Sequence, residues 1–436
     1  VLRAVLYLVA LAYVVSPAAT RAASQVAPVK LGHSVIRLYT PWRFKTGDDL
    51  RWAHSNFDDA RWREMDLTPP PGATDGDVGL EGFAPGWSAK GYPGYHGFAW
   101  YRTRVDVRPS DGQTLALLGP WAVDSAYQVY VNGRLLGGVG NFSGSTPRAF
   151  GYHYPRFFAL PNDSGRGGLM TIALRVWAGP WVSSPTSGGV HIAPAIGNSD
   201  AILDLYHLEE FKIFEGYVVD AIPAVLFALT AATVSCLLPV ARRKAAFGWL
   251  AAALLFSAIQ RGNQAFFFWF QLETIQEFVV IVMAIVGTLV IAAWIIAWRA
   301  WFRVSSPSWL PRAIVGLSLV LMAAQILSHP WLFSKPPPQI VTGISHAIVS
   351  WTRLAFLAAL VWIVYRTMLQ NWRETLIALP AVLAMACFVF SAEVGSLHVP
   401  GIWFPWGAGV SLSEYASVAT CAFVTLLLLR RLWALR

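Results

Sequence analysis

Three loop segments of this sequence set aromatic rings beside hydrogen-bonding groups. They are Pro120-Trp121-Ala122-Val123-Asp124, residues 141–153 ending in His153, and residues 177–181 with Trp177 and Trp181. An indole face suits the C–H surface of a saccharide, and a carboxylate, amide or imidazole suits its hydroxyls. Trp121, Asp124, His153, Trp177 and Trp181 are therefore the candidate ligand-binding residues. The competing expectation is that these tryptophans fill the rim of a folded domain. A second set lies in otherwise apolar sequence: Asp220, Arg261, His329, His346, Arg353, Glu393 and Glu414. Ionisable groups in hydrocarbon are costly and usually face a bundle interior or a water-filled cavity. Asp220, His346, Arg353, Glu393 and Glu414 are the candidate coupling residues. One expectation is a polar pocket in which Arg353 neutralises Glu393 or Glu414. The other is simple pairing between helices, with snorkelling at the interface.

Other chemistries find no foothold. The sequence has no Walker-type glycine loop, no HExxH helix and no GxSxG elbow. Its three cysteines, Cys236, Cys387 and Cys421, all fall in apolar runs. No metal site, cofactor or catalytic domain is expected, so the chain is not expected to be an enzyme. The apolar segments contain no lysine, which excludes a retinal Schiff base.

The elements that must position these residues divide into two solvents. Of 436 residues, 56% are hydrophobic and only 13% charged, against about 25% charged in an ordinary soluble domain. Residues 25–215 are rich in Asp, Arg, Gly, Pro and aromatics, whereas 216–436 are long apolar runs. Arg3, the apolar stretch 4–15 and the small residues that follow read as a signal peptide over 1–24. Short strands are expected at Phe98–Val107, Leu115–Leu118, Tyr127–Val131, Arg134–Leu136, Phe157–Leu160 and Met170–Trp177. Asn132-Gly133 supplies the turn of a hairpin. Trp100 and Tyr101 point to opposite faces of one strand, so one of them packs inward. The expected domain, residues 25–200, is an all-β sandwich.

A short amphipathic connector, residues 201–215, leads into seven apolar segments within 216–433. They lie near 217–240, 245–268, 276–302, 311–332, 340–368, 374–396 and 408–430, and most approach the roughly 20 residues that a crossing helix needs. Arg261, Asn263 and Gln264 make the second the weakest. With the sandwich outside, the inner loops and C-terminus carry Arg242, Arg243, Lys244, Arg299, Arg303, Arg312, Arg366, Arg373, Arg430, Arg431 and Arg436. The outer loops carry Arg261 and Lys335. That bias predicts an inside C-terminus and an odd number of crossings. It also accounts for much of the net charge of +9 without nucleic acid as a partner.

Asp58-Asp59 with Trp62, then Gly97-Phe98-Ala99-Trp100-Tyr101-Arg102, then Val129-Tyr130-Val131-Asn132-Gly133 recur in an order that resembles the sugar-binding jelly-roll of glycoside hydrolase family 2 and its galactose-binding-like relatives. Joined to seven helices, this domain resembles the bacterial seven-transmembrane receptors with diverse intracellular signalling modules. The resemblance implies a jelly-roll followed by a seven-helix bundle in the bacterial cytoplasmic membrane, with the sandwich outside. It implies a sensor that binds a saccharide or other outside ligand, and a cytoplasmic output module or partner. No such module follows Arg430-Arg431 in this sequence, so the output is expected from a longer chain or a separate partner. A solute transporter and an adhesive or scaffolding membrane protein are the alternatives.

Overall fold

The computed structural model describes residues 35–39, 42–75, 78–106, 114–144, 146–150, 154–161, 169–182, 184–239, 241, 243–270, 272–333, 335, 337–395 and 410–433. The expected signal peptide and His153 lie outside the described residues.

Two antiparallel sheets share one core. The smaller has the order β1 (Val35–Arg37), β12 (Ala195–Asn198), β5 (Leu115–Leu118) and β9 (Phe157–Ala159). The larger has the order β3 (Arg63–Met65), β2 (Trp42–Thr46), β4 (Gly97–Asp106), β10 (Leu169–Ala178), β7 (Ala126–Val131) and β8 (Arg134–Val139). A two-stranded piece pairs β6 (Val123–Asp124) with β11 (Gly189–Val190). Alternation decides what goes inside. Phe44, Tyr101, Val129, Ile172 and Leu174 of the larger sheet meet Leu117 and Ile196 of the smaller. The β7–β8 hairpin turns at Asn132 (φ 49°) and Gly133 (φ 85°). Left-handed values at both positions are what a type I′ turn requires.

The outer face of the larger sheet is not left to water. Trp52 and Trp62, from the segment before β3, close over Trp100, Tyr130 and Ala173. Both Trp100 and Tyr101 are therefore buried, where alternation alone predicted one. This second layer also explains the ordered sequence motifs. Arg102 of β4 is fully enclosed and donates through Nε to Asp59 Oδ2 at 2.8 Å, while Arg104 donates to Asp59 Oδ1 at 2.8 Å. The Arg102 Nη atoms donate to the carbonyls of Trp52 and His54. Asp58 accepts the amide of Ala60 at 3.0 Å and makes the turn.

Seven helices follow that are long and apolar enough to cross a membrane. They are α1 (Ser199–Leu237), α2 (Lys244–Phe270), α3 (Ile275–Trp301), α4 (Leu310–Leu327), α5 (Gln339–Gln370), α6 (Trp372–Val389) and α7 (Leu412–Trp433). Each expected apolar segment corresponds to one helix. α3 lies deepest, and its Trp294 donates to Ser257 Oγ of α2 at 3.0 Å. α4 stops earlier than predicted, because Pro330 ends regular helix two residues after Ser328. The largest difference is at α1. Residues 201–215 are not a separate connector but the first part of one unbroken 39-residue helix.

α1 is buried along one stripe. Ile202, Ile213 and Tyr217 pack with Ala116, Leu118, Trp121 and Ala195 of the sandwich. Phe227, Ala231 and Val234 continue the same face into the core of the bundle. Ile222, Val225 and Leu229 lie on its exposed side, an apolar surface that suits hydrocarbon better than water.

Burial pushes the Asp59 carboxyl up, but hydrogen bonds and charge from Arg102 and Arg104 outweigh it, so its pKa lies below the usual carboxylate value. The pair stabilises the fold fully above the unfolded value of about 4 and is lost as pH falls through the lowered one. Asp59→Asn strands a buried guanidinium and should cost about 3–5 kcal/mol at neutral pH. It should also flatten the acid limb of stability, as measured by chemical unfolding between pH 3 and 7.

Candidate functional site

The sandwich candidates fall in separate places. The Trp121 ring is fully buried, with Arg37 over it at 4.8 Å. Arg37 also reaches Glu209 of α1 at 3.7 Å. An open sugar platform at Trp121 is thus corrected: the ring joins the smaller sheet to α1. Asp124 is likewise committed inside the fold. Its Oδ2 accepts the Gly188 amide at 2.6 Å and lies 2.9 Å from His191 Nε2, whose other nitrogen faces the Ala84 carbonyl at 2.9 Å. That set fastens β6 to β11.

Trp177 and Trp181 do meet, with ring centroids 5.4 Å apart. Gly179 makes this possible, because a Cβ there would lie 2.4 Å from the Trp181 ring. Trp177 is nearly enclosed, whereas Trp181 is half-buried and packs on Trp331, beyond α4, at 5.0 Å. Trp181 is thus the partly open aromatic of the set, and it touches the helical region as well as the sandwich.

The candidates in the helical region converge far better. Arg261 of α2, 6% exposed, sits among three helices. Its Nη1 donates to Asp220 Oδ1 of α1 at 3.3 Å and to Glu414 Oε1 of α7 at 3.0 Å, and its Nη2 donates to Ser413 Oγ at 2.7 Å. Gln264, one turn along, donates to Asp220 Oδ2 at 3.4 Å. The Ser411 amide donates to Glu414 Oε2 at 2.6 Å. Phe388 of α6 lies under the guanidinium at 5.1 Å. Arg353 of α5 pairs separately with Glu393 in the short turn Ser391–Gly395, donating from Nη2 at 2.7 Å and also to the Val389 carbonyl at 3.1 Å. Of the two expected partners for Arg353, the structure selects Glu393.

These groups surround a cavity of about 510 Å³ in the sandwich-facing part of the bundle, within the size range of small-molecule sites. Asp220, Arg261, Arg353 and Glu414 line it together with Gln260, Gln264 and Gln325. Both expectations for the ionisable set are therefore present at once, pairing between helices and a polar pocket. Glu393 stands behind Arg353, and His346 is exposed on α5, 6.5 Å from His329. The wall includes Met283 and Gly287, where α3 widens into π-helical turns over Val279–Val286. A Cβ at Gly287 would stand 3.5 Å from Gln260 Nε2. Such widened turns are frequent at functional sites.

Chemically the cluster gathers three carboxylates and two guanidiniums. It leaves Arg261 Nε and Gln325 Oε1 buried without hydrogen-bond partners. One donor and one acceptor are thus left without partners in the residues that line the cavity. Arg261 is the residue that the candidate set lacked. Its signal was present as a lone arginine, flanked by Gln260, Asn263 and Gln264, in an apolar run.

No family model matches the chain, and no curated protein matches it. Among solved structures, it is similar to a Bacteroides uniformis β-glucuronidase 2 at 21% identity and TM-score 0.27, covering 38% of this chain and 18% of that one. A glycosyl hydrolase family 2 member from Bacteroides cellulosilyticus matches at 18% identity and TM-score 0.27, covering 38% and 20%. A β-glycosidase from Bacteroides vulgatus matches at 19% identity and TM-score 0.24, covering 37% and 20%. The chain spans about a fifth of the length of these structures. The exclusion of enzymatic activity made from sequence is withdrawn, because the structures matched are glycosidases.

Removing one partner from a buried charge network costs far more than removing the whole network. Arg261→Met should lower the thermal midpoint of the full chain in detergent sharply. Adding Asp220→Asn and Glu414→Gln should restore most of the loss. A triple variant as unstable as the single one would show that the network is not what holds α1, α2 and α7 together.

Proposed function

We propose that this chain is a membrane receptor. The sandwich lies outside a bacterial cytoplasmic membrane and takes a ligand of the saccharide class. The seven helices pass the event to a cytoplasmic output module or partner. The observation that carries this reading is the single buried stripe of α1. It packs on the sandwich through Ile202, Ile213 and Tyr217, then enters the bundle at Asp220 and Phe227. A shift of the sandwich side of that helix arrives at the Asp220–Arg261–Glu414 network without crossing a flexible joint. Spans of this length and composition, with arginines gathered at the end away from the sandwich, support the membrane orientation. The half-buried Trp181, and the order of motifs that resembles sugar-binding sandwiches, support the saccharide class.

For the ligand to signal, it must bind two states of the protein unequally, with each tenfold of preference supplying about 1.4 kcal/mol. A solute carrier is the second reading, favoured by the cavity of about 510 Å³ beside Arg261. Substrate counterflow in liposomes separates the two.

The test uses the full chain in lipid nanodiscs and a panel of mono- and oligosaccharides. A saccharide that raises the melting midpoint should lose its effect in Trp181→Ala. The same saccharide should alter hydrogen exchange of α2 and α7 around the cavity. Inserting two glycines after Glu215 turns the rest of α1 by about 200° and should abolish that distant change while sparing the midpoint shift. An insertion variant with an unaltered exchange response would defeat the α1 route, and a silent panel would remove the saccharide class.

A further inference from the structure

At the end of the bundle away from the sandwich, a groove of about 390 Å³ is lined by Arg243, Arg299 and Arg303. We propose that it binds the phosphate of an anionic phospholipid headgroup. This rests on reading the helices as membrane spans.

The three arginines come from two elements. Arg243 immediately precedes α2, Arg299 is in the last turn of α3, and Arg303 lies just past it. No carboxylate pairs with any of them among the described residues. The nearby acid, Glu374, is taken by Arg431 at 3.1 Å. Arg243 donates one bond to the Trp301 carbonyl at 3.3 Å, and Arg299 one to the Ser305 carbonyl at 2.7 Å. Each of these two guanidiniums has five N–H donors. Arg299 Nε is buried without a hydrogen-bond partner. Uncompensated guanidiniums gathered around one concavity call for a doubly hydrogen-bonding anion, and phosphate fits their planar fork.

Two further features point the same way. Arg303 is held at φ +59°, a left-handed value rare for a residue with a side chain. Ala245 and Ala246, in the first turn of α2, also line the groove, so the positive end of a 27-residue helix faces it. The source of the phosphate follows from the surroundings. Trp309, Trp372 and Trp433 are exposed around this end, as interfacial tryptophans are where a helix bundle meets headgroups. Basic pockets between helices at that level are headgroup sites on physical grounds.

The full chain is purified in a zwitterionic detergent, and its thermal midpoint is followed with added phosphatidylglycerol or with phosphatidylcholine of identical acyl chains. Phosphatidylglycerol should raise the midpoint about twice as far. Arg243→Gln combined with Arg303→Asn should reduce the two responses to equality; asparagine keeps the left-handed backbone within reach. Arg373→Gln, on the same end outside the groove, should keep the difference. Should the double variant fail to fold, native mass spectrometry of the wild-type chain decides, with phosphatidylglycerol expected to stay bound at collision energies that strip phosphatidylcholine. Equal responses in the wild type would overturn the proposal, as would a double variant that keeps the preference or an Arg373→Gln chain that loses it. Excess inorganic phosphate reproducing the full shift would replace the lipid by a soluble anion and overturn it too. A chain that reconstitutes into bilayers without any headgroup preference fails this proposal alone. One that does not reconstitute fails the membrane reading.

Discussion

A guanidinium among apolar helices has to be met by carboxylates, and meeting Arg261 organises the helical half of this protein. Its two acids come from the first and last helices, Asp220 on α1 and Glu414 on α7. Satisfying it therefore brings α7 back beside α1 and α2. Ser411 and Ser413 complete the shell around Glu414, so its remaining lone pairs are not left in a medium where each would be costly. The requirement also fixes α1 along its own axis, because Asp220 has to stand level with Arg261. Since α1 runs unbroken from Ser199, the position of the sandwich follows from a charge pair farther along the same helix.

The sandwich uses the same physics differently. Arg102 is fully enclosed, and its nitrogens are committed to Asp59 and to the carbonyls of the segment that covers the outer face of the sheet. Its role is to fasten a second layer of tryptophans. Arg261 is almost as deeply buried, yet its Nε is unmatched beside an open polar volume. The contrast separates an arginine that completes a fold from one that leaves hydrogen-bonding capacity for something else.

How far these features were legible in the sequence follows from the range of the interactions that make them. Period-two alternation and the Asn132-Gly133 turn are local, and β4, β5, β7, β8, β9 and β10 stand where they predict. Apolar runs are local too, and all seven helices coincide with one. The short strands β1, β3 and β12 escaped because three or four residues carry no period worth reading. Trp121 and Asp124 looked like loop ligands because their partners, Arg37 and His191, lie about 70–85 residues away and no pattern ties them together. Arg261 was visible as an anomaly, but its role depended on which acids two distant helices would bring. Residues 201–215 were seen as amphipathic. What the sequence pattern hid was that their buried stripe keeps phase with the membrane-length part that follows.

That phase acquires a mechanical meaning from Pro223. A proline inside a helix cannot donate to the carbonyl four residues before it, here that of Val219, which lines the cavity next to Asp220. Before this point α1 is continuous helix from Ser199. At Val219–Pro223 one bond is missing, and bending is easiest there. The compliant point of this 39-residue helix thus falls beside the Asp220–Arg261–Glu414 network, just past the last sandwich contact at Tyr217. On the proposed receptor reading, a displacement imposed on the upper half would be delivered to three charged side chains that hold three helices. Interactions of that kind have few intermediate arrangements, since a buried charge is either matched or stranded. A small movement above would therefore resolve below into one of a few discrete pairings.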